Sequence, residues 1–171
     1  GAVVPPLQLI DAVSKGTIDG GHAVPGFWFG RNTAFGLFGA GPHFGLDSNQ
    51  TLGWVERGGG KELYAEVLAA AKLNVVSYLY GPVPTEPFGW FRKEINTVDD
   101  LKGLKYRTAG LAIDMMTELG ASPVQLAPAD IVPSLERGVI DAAEFANITD
   151  DRILGFPDVA KNYYLQSCHM C

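Results

Sequence analysis

Three charged residues carry the chemistry open to this chain: Glu86, Arg107 and Glu144. An arginine presents a rigid planar fork that matches a carboxylate through two parallel hydrogen bonds. Two glutamates offer hard oxygen donors for a cation, or an acid/base pair. From residue type alone the three could form a catalytic pair, a hard-cation site with an anion partner, or a plain salt-bridge cluster. Arg107 also has structural partners at hand in Glu94, Asp99 and Asp100, since most charged residues are solvated or paired.

The elements that must position them surround residues 81–110. Pro82, Pro84 and Pro87 keep the start of this stretch extended and turn-rich. Residues 88–95 mix aromatics with alternating charge and read as a short strand. Thr97 caps a helix of one or two turns, with Asp99 and Asp100 at its positive end and Gly103 closing it. Residues 104–108 then form a second strand that carries Arg107 to its far end. The result is a β-α-β unit, and ligands of open α/β sheets sit at the carboxyl ends of strands. Glu144 ends a further strand over 139–145, so the three charges converge near a junction, where pockets are commonest.

Elsewhere the pattern is α/β throughout. Helices are expected over 7–15, from Asp47 to Arg57, and over 60–72, 111–119, 128–137 and 147–155. Strands are expected over 17–23, 73–80 and 124–126 and near the end of 158–165. One joint occurs twice: Lys15-Gly16-Thr17-Ile18-Asp19-Gly20-Gly21 is echoed by Arg137-Gly138-Val139-Ile140-Asp141-Ala142-Ala143. Two copies suggest two similar lobes, because repeat arrays have far shorter periods. The expected division is 1–80 plus 146–171 for one partial lobe and 81–145 for the other. The crossings fall near Tyr80–Pro82 and Ala142–Ala146. Phe27, Trp28, Phe29, Phe35, Phe38 and Phe44 form an aromatic-rich region, more often core than ligand wall.

With 171 residues and 47% hydrophobic content the chain can bury a core, and no run approaches a membrane span. A net charge of −6 argues against nucleic acid, which needs a basic face. It does not argue against small anions, because one local arginine overrides the mean field. No catalytic fingerprint for a serine hydrolase, zinc peptidase, phosphate loop or dinucleotide site occurs. His22, His43 and His169 lack paired-ligand spacing and read as structural. An arginine between two carboxylates would depress the pKa that a glycosidase acid needs raised. Cys168 and Cys171 form a lone C-x-x-C without the second pair that a zinc site needs.

The run Gly89-Trp90-Phe91-Arg92-Lys93-Glu94-Ile95, then Asp100-Leu101-Lys102-Gly103-Leu104-Lys105 and Arg107, closely resembles the solute-binding proteins of TRAP transporters, the DctP type. It looks most like their subgroup for 2-oxo and 2-hydroxy acids. The resemblance covers essentially the whole chain and corresponds to the middle of a family member. It therefore implies a two-lobed, type II periplasmic-binding-protein-like α/β fold, incomplete at both termini.

It further implies a periplasmic, non-enzymatic protein that binds a small organic acid with Na+ or Ca2+ and serves TRAP membrane permease subunits. Arg107 matches the arginine that pairs with the substrate carboxylate. Glu86 stands where the family has a cation-contacting glutamine, and Glu144 matches the acid on the same cation. Phe145 replaces a tryptophan that offers its carbonyl and ring. Phe27 and Trp28 fall among the aromatics of the opposite lobe, where Pro25 removes a polar or aromatic contact. The extra charge of Glu86 favours Ca2+ over Na+. Missing terminal strands would leave open edges, so a homodimer or larger homo-oligomer is expected. The alternative is a truncated, non-transporting module that oligomerises through those surfaces, with a metal-dependent hydrolase a distant third.

Overall fold

Alternation along two short strands builds the middle of the molecule. In the computed structural model, which describes residues 3–39, 46–80 and 86–165, β1 (Gly89–Phe91) puts Trp90 on one face of a sheet and Phe91 on the other. The neighbouring β4 (Ala142–Ala143) does the same with its two alanines. One face packs Trp90 and Ala143 with Ile131, Leu135, Ile140, Phe156 and Ala160. The other packs Phe91 and Ala142 with Leu101, Leu104, Tyr106, Met116 and Ala121.

The sheet has five strands in the order β3-β2-β4-β1-β5, with β2 at Lys105–Arg107, β3 at Ser122–Val124 and β5 at Asn162–Tyr164. β2 runs parallel to β3 and β4, pairing Tyr106 with Pro123 and with Ala142. β1 is antiparallel to β4 and β5. The expected β-α-β unit is thus altered, since β4 lies between β1 and β2 and β1 runs the other way. Its connecting helix is the 3₁₀ turn Val98–Leu101, where Thr97 and Asp100 form a capping box.

The helices are α1 (Leu9–Ser14), α2 (Ser48–Arg57), α3 (Gly60–Ala70), α4 (Ala112–Glu118), α5 (Pro128–Glu136), α6 (Ile148–Leu154) and α7 (Phe156–Val159). Their starts follow local chemistry. Asp47 and Gln50 form a capping box on α2, and Asn147 accepts from the backbone of Thr149 and Asp150 at α6. α5 runs through Pro133.

Residues 3–80 have a core of their own, with Ile10, Phe35, Leu68 and Leu73 buried together. The strands expected over 17–23 and 73–80 are not formed. The two segments lie near each other, since the His22 and Tyr80 rings meet at 4.9 Å, yet no ladder joins them. A strand exists only through its partners, and among the described residues neither segment has one. Val76 and Tyr78 are 78% exposed and Tyr80 is 81% exposed.

One boundary needs correction. Residues 146–171 were expected to return to the first lobe, but β5 pairs with β1, and Phe156 and Ala160 pack against Trp90. The described residues 86–165 therefore share one sheet. The apolar positions of α7 and β5 complete a face that Trp90 and Ile131 leave open. The expected crossing near Gly81 and Pro82, the rings of His43 and Phe44, and Cys168 to Cys171 lie outside the described residues.

Candidate ligand and cation site

Arg107 ends β2 between two parallel neighbours, so its side chain emerges at the carboxyl edge of three strands. It is 1% exposed. Nη1 donates to the Glu144 carbonyl oxygen at 2.7 Å and to Glu144 Oε1 at 3.1 Å. Nε and Nη2 both donate to the carbonyl oxygen of Leu126, each at 3.3 Å. The Phe145 ring lies 5.8 Å from the guanidinium carbon. The acidic neighbours in sequence are engaged elsewhere: Asp99 pairs with Lys102, and Asp100 accepts from Asn96 and Thr97. Arg107 is thus held by Glu144 rather than by Glu94, Asp99 or Asp100.

Glu144 is 5% exposed and directly follows β4. A buried carboxylate needs a charged partner or a metal, and Arg107 occupies one of its oxygens. Gly89 brings β1 close to this point. Its φ is +126°, and a Cβ there would stand 2.5 Å from the Ala143 carbonyl oxygen and 3.1 Å from the Glu144 nitrogen.

Glu86 is half-buried three residues before β1. Its charge and that of Glu144 both act on Tyr106. Burial first, then these two carboxylates, push the Tyr106 phenol well above its ordinary range, with Arg107 opposing. Tyr106 donates to the Phe88 carbonyl oxygen. Two carboxylates that bear on one phenol share a neighbourhood, and hard oxygen donors of this kind suit Na+ or Ca2+. Among the described residues no group of three or more His, Cys, Asp or Glu gathers. A cation here would take the rest of its shell from carbonyl oxygens, such as that of Phe145, and from a bound ligand.

Phe27 and Trp28 sit in the 3₁₀ turn Pro25–Trp28 and behave differently. Trp28 donates its indole N–H to the Leu7 carbonyl at 3.1 Å and meets Phe35 edge-on at 6.0 Å. Phe27 presents its carbonyl to Gln125, whose Nε2 donates to it at 3.1 Å. A separate groove of about 750 Å³, lined by Trp54, Val55, Leu63, Val67 and Leu79 among others, lies between α2 and α3 away from Arg107.

Gln125, the Leu126 carbonyl and Asp151 escape the sequence pattern. Asp151 is fully buried on α6 and accepts from Trp90 Nε1 at 2.8 Å and from the Ala146 nitrogen at 3.2 Å. It thereby ties β1 to the backbone just past Glu144 and Phe145. The available signal was an acid in the first turn after the Asn147 cap, which usually means a solvated helix start.

Burial raises the Asp151 carboxyl from 3.8 to about 6, helped by Glu144 and Asp150 and opposed by the two N–H donors. A folded-state pKa above the unfolded one stabilises the fold fully at pH below the unfolded value, and that stability is lost as pH rises through 6. Urea unfolding of wild type and Asp151→Asn at pH 4 and pH 7 is expected to show the variant gaining on wild type by ~2 kcal/mol at the higher pH. A constant difference between the two proteins would refute a raised carboxyl.

The bacterial extracellular solute-binding protein family 7 (DctP) model matches residues 1–171. A curated relative, the monocarboxylate 2-oxoacid-binding periplasmic protein of Nostoc sp., is 38% identical over 164 residues, which is 96% of this chain and 44% of that protein. A TRAP transporter solute-binding protein from Bordetella bronchiseptica superposes with a TM-score of 0.89 at 40% identity, covering 95% of this chain and 48% of that one. That structure is a mixed-occupancy dimer with calcium and picolinate in one active site and the other apo.

A TRAP periplasmic protein from Pseudoalteromonas atlantica with bound sodium and pyruvate gives 0.88 at 36% identity, over 95% and 49% of the two chains. An apo open structure from Rhodobacter sphaeroides gives 0.51 at 34% identity, over 94% and 50%. The chain thus spans about half the length of the proteins it matches.

Proposed function

Because this chain belongs to the bacterial extracellular solute-binding family 7, the DctP proteins of TRAP transporters, we propose that it binds a small 2-oxo or 2-hydroxy monocarboxylate together with a cation. The observation that carries this reading is the buried Arg107 fork at the carboxyl ends of parallel strands, with Glu144 beside it. The ligand carboxyl takes the guanidinium, and its 2-oxygen joins a cation held by Glu86, Glu144 and the Phe145 carbonyl. Phe27 and Trp28 supply the opposite wall. Residues 3–80 and 86–165 are the two partial lobes, with the binding site between them.

In this reading the protein works in the periplasm, hands its ligand to TRAP membrane permease subunits, and breaks no bond in it. It acts as a homo-oligomer, supported by the exposed apolar residues Val76, Tyr78, Leu79 and Tyr80. The non-transporting alternative has less support, since the relative from Bordetella bronchiseptica holds calcium with picolinate and the one from Pseudoalteromonas atlantica holds sodium with pyruvate.

The test is calorimetric titration with pyruvate and with lactate, in sodium and in calcium buffers. Binding that strengthens with calcium is the expected result, and no binding in either buffer would overturn the proposal. Two carboxylates neutralise a divalent ion better than one, so Glu86→Gln should lower the preference for calcium over sodium by about tenfold or more. An unchanged preference would remove Glu86 from the cation shell.

A further inference from the structure

We propose that Gln125 is a latch: its amide holds the two parts of the chain in the ligand-retaining arrangement without itself touching the ligand. The proposal rests on the binding function above. Gln125 Nε2 donates to the Phe27 carbonyl oxygen at 3.1 Å, joining residues 98 apart in the chain. It thereby links residues 3–80 to residues 86–165 directly. The neighbouring contact is apolar. Leu111, just before α4, lies against Gly36, where a Cβ would stand 3.0 Å from Leu111 Cγ.

The latch is tied to the site by one peptide. Gln125 directly follows β3, and the next carbonyl, that of Leu126, accepts from Arg107 Nε and Nη2. The guanidinium that would take a carboxylate therefore also fixes the backbone carrying the latch. The arrangement so held matches a liganded relative. The chain superposes at a TM-score of 0.88 on the structure with sodium and pyruvate and at 0.51 on the apo open one, at 36% and 34% identity.

A contact present only in the closed arrangement raises apparent affinity by raising the fraction of molecules that are closed. Losing one neutral hydrogen bond should therefore weaken binding about three- to tenfold. Gln125→Glu should weaken it further, because a carboxylate would face the Phe27 carbonyl oxygen.

Two readouts test this. Spin labels at Glu62→Cys on α3 and Glu118→Cys on α4, both exposed positions, in a Cys168→Ser, Cys171→Ser background, report the distance between the two parts. Calorimetry reports pyruvate affinity. Without ligand, Gln125→Ala and Gln125→Glu should shift the distance distribution to longer, broader values than in the parent, with affinity falling in the same order. Unchanged distances overturn the latch. Weaker binding with unchanged distances also overturns it, by making Gln125 a ligand contact. A parent protein that fails to bind pyruvate would refute the binding function, while the distance comparison still decides the latch.

Discussion

Arg107→Ala is expected to lose ~2–5 kcal/mol of carboxylate binding, because the ligand charge would be left in a buried site without its partner. The same change leaves Glu144, 5% exposed, as an unpaired buried carboxylate, which costs the fold ~3–5 kcal/mol. The two effects are separable. Arg107→Lys keeps a positive charge near Glu144 but lacks the fork that reaches both Glu144 and the Leu126 carbonyl. It should recover most of the stability and little of the binding. Urea midpoints and pyruvate titrations of both variants measure this. A lysine variant that binds as tightly as wild type would show that charge alone is recognised.

Gly89→Ala is expected to damage the fold and the site together. At a φ of +126° its Cβ would meet the Ala143 carbonyl oxygen at 2.5 Å, and that oxygen belongs to backbone that cannot swing aside. Strain at such a φ costs of order 1–3 kcal/mol, and the clash adds to it. Gly103→Ala is the control. Gly103 also has a positive φ, +71°, but a Cβ there meets nothing within 4 Å, so only the conformational cost of about 1 kcal/mol remains. Thermal melts should rank Gly89→Ala well below Gly103→Ala. Equal melting points would mean that β1 relaxes away from β4 without cost.

The positions of Arg107 and Glu144 in the fold were more legible than the strands around them. Each comes at the end of a short strand-like stretch, Leu104-Lys105-Tyr106 or Val139-Ile140-Asp141-Ala142-Ala143, and the ends of strands are where ligands of such sheets bind. Their mutual pairing was not legible, since Glu94, Asp99 and Asp100 are nearer in sequence. The helix starts were readable wherever a cap is local, as at Asp47, Thr97 and Asn147. Strand partners are not local. Residues 73–80 have the β-branched, apolar composition of a buried strand, and composition cannot say that no neighbour pairs with them among the described residues. The pairing of β5 with β1 escaped the sequence for the same reason, because nothing in β5 itself names β1 as its partner. The sequence places Gln125 inside a short strand, and its hydrogen-bond partner is a carbonyl 98 residues away.

The placement of β1 also bears on how the chain is made. Phe91 and its cross-strand neighbour Asn162 are 71 residues apart, and β4, on the other side of β1, also comes late in the sequence. A ribosome adding roughly 5–20 residues per second leaves Trp90 and Phe91 without any strand partner for about 3–10 s, until β4 is made, and without β5 for about 4–14 s. During that interval two large aromatic side chains flank an open backbone edge, the combination that promotes association between nascent chains. β2 and β3, close in sequence and parallel, can assemble meanwhile. Shielding of the Gly89-Trp90-Phe91 segment during synthesis is therefore expected to raise the yield of folded protein.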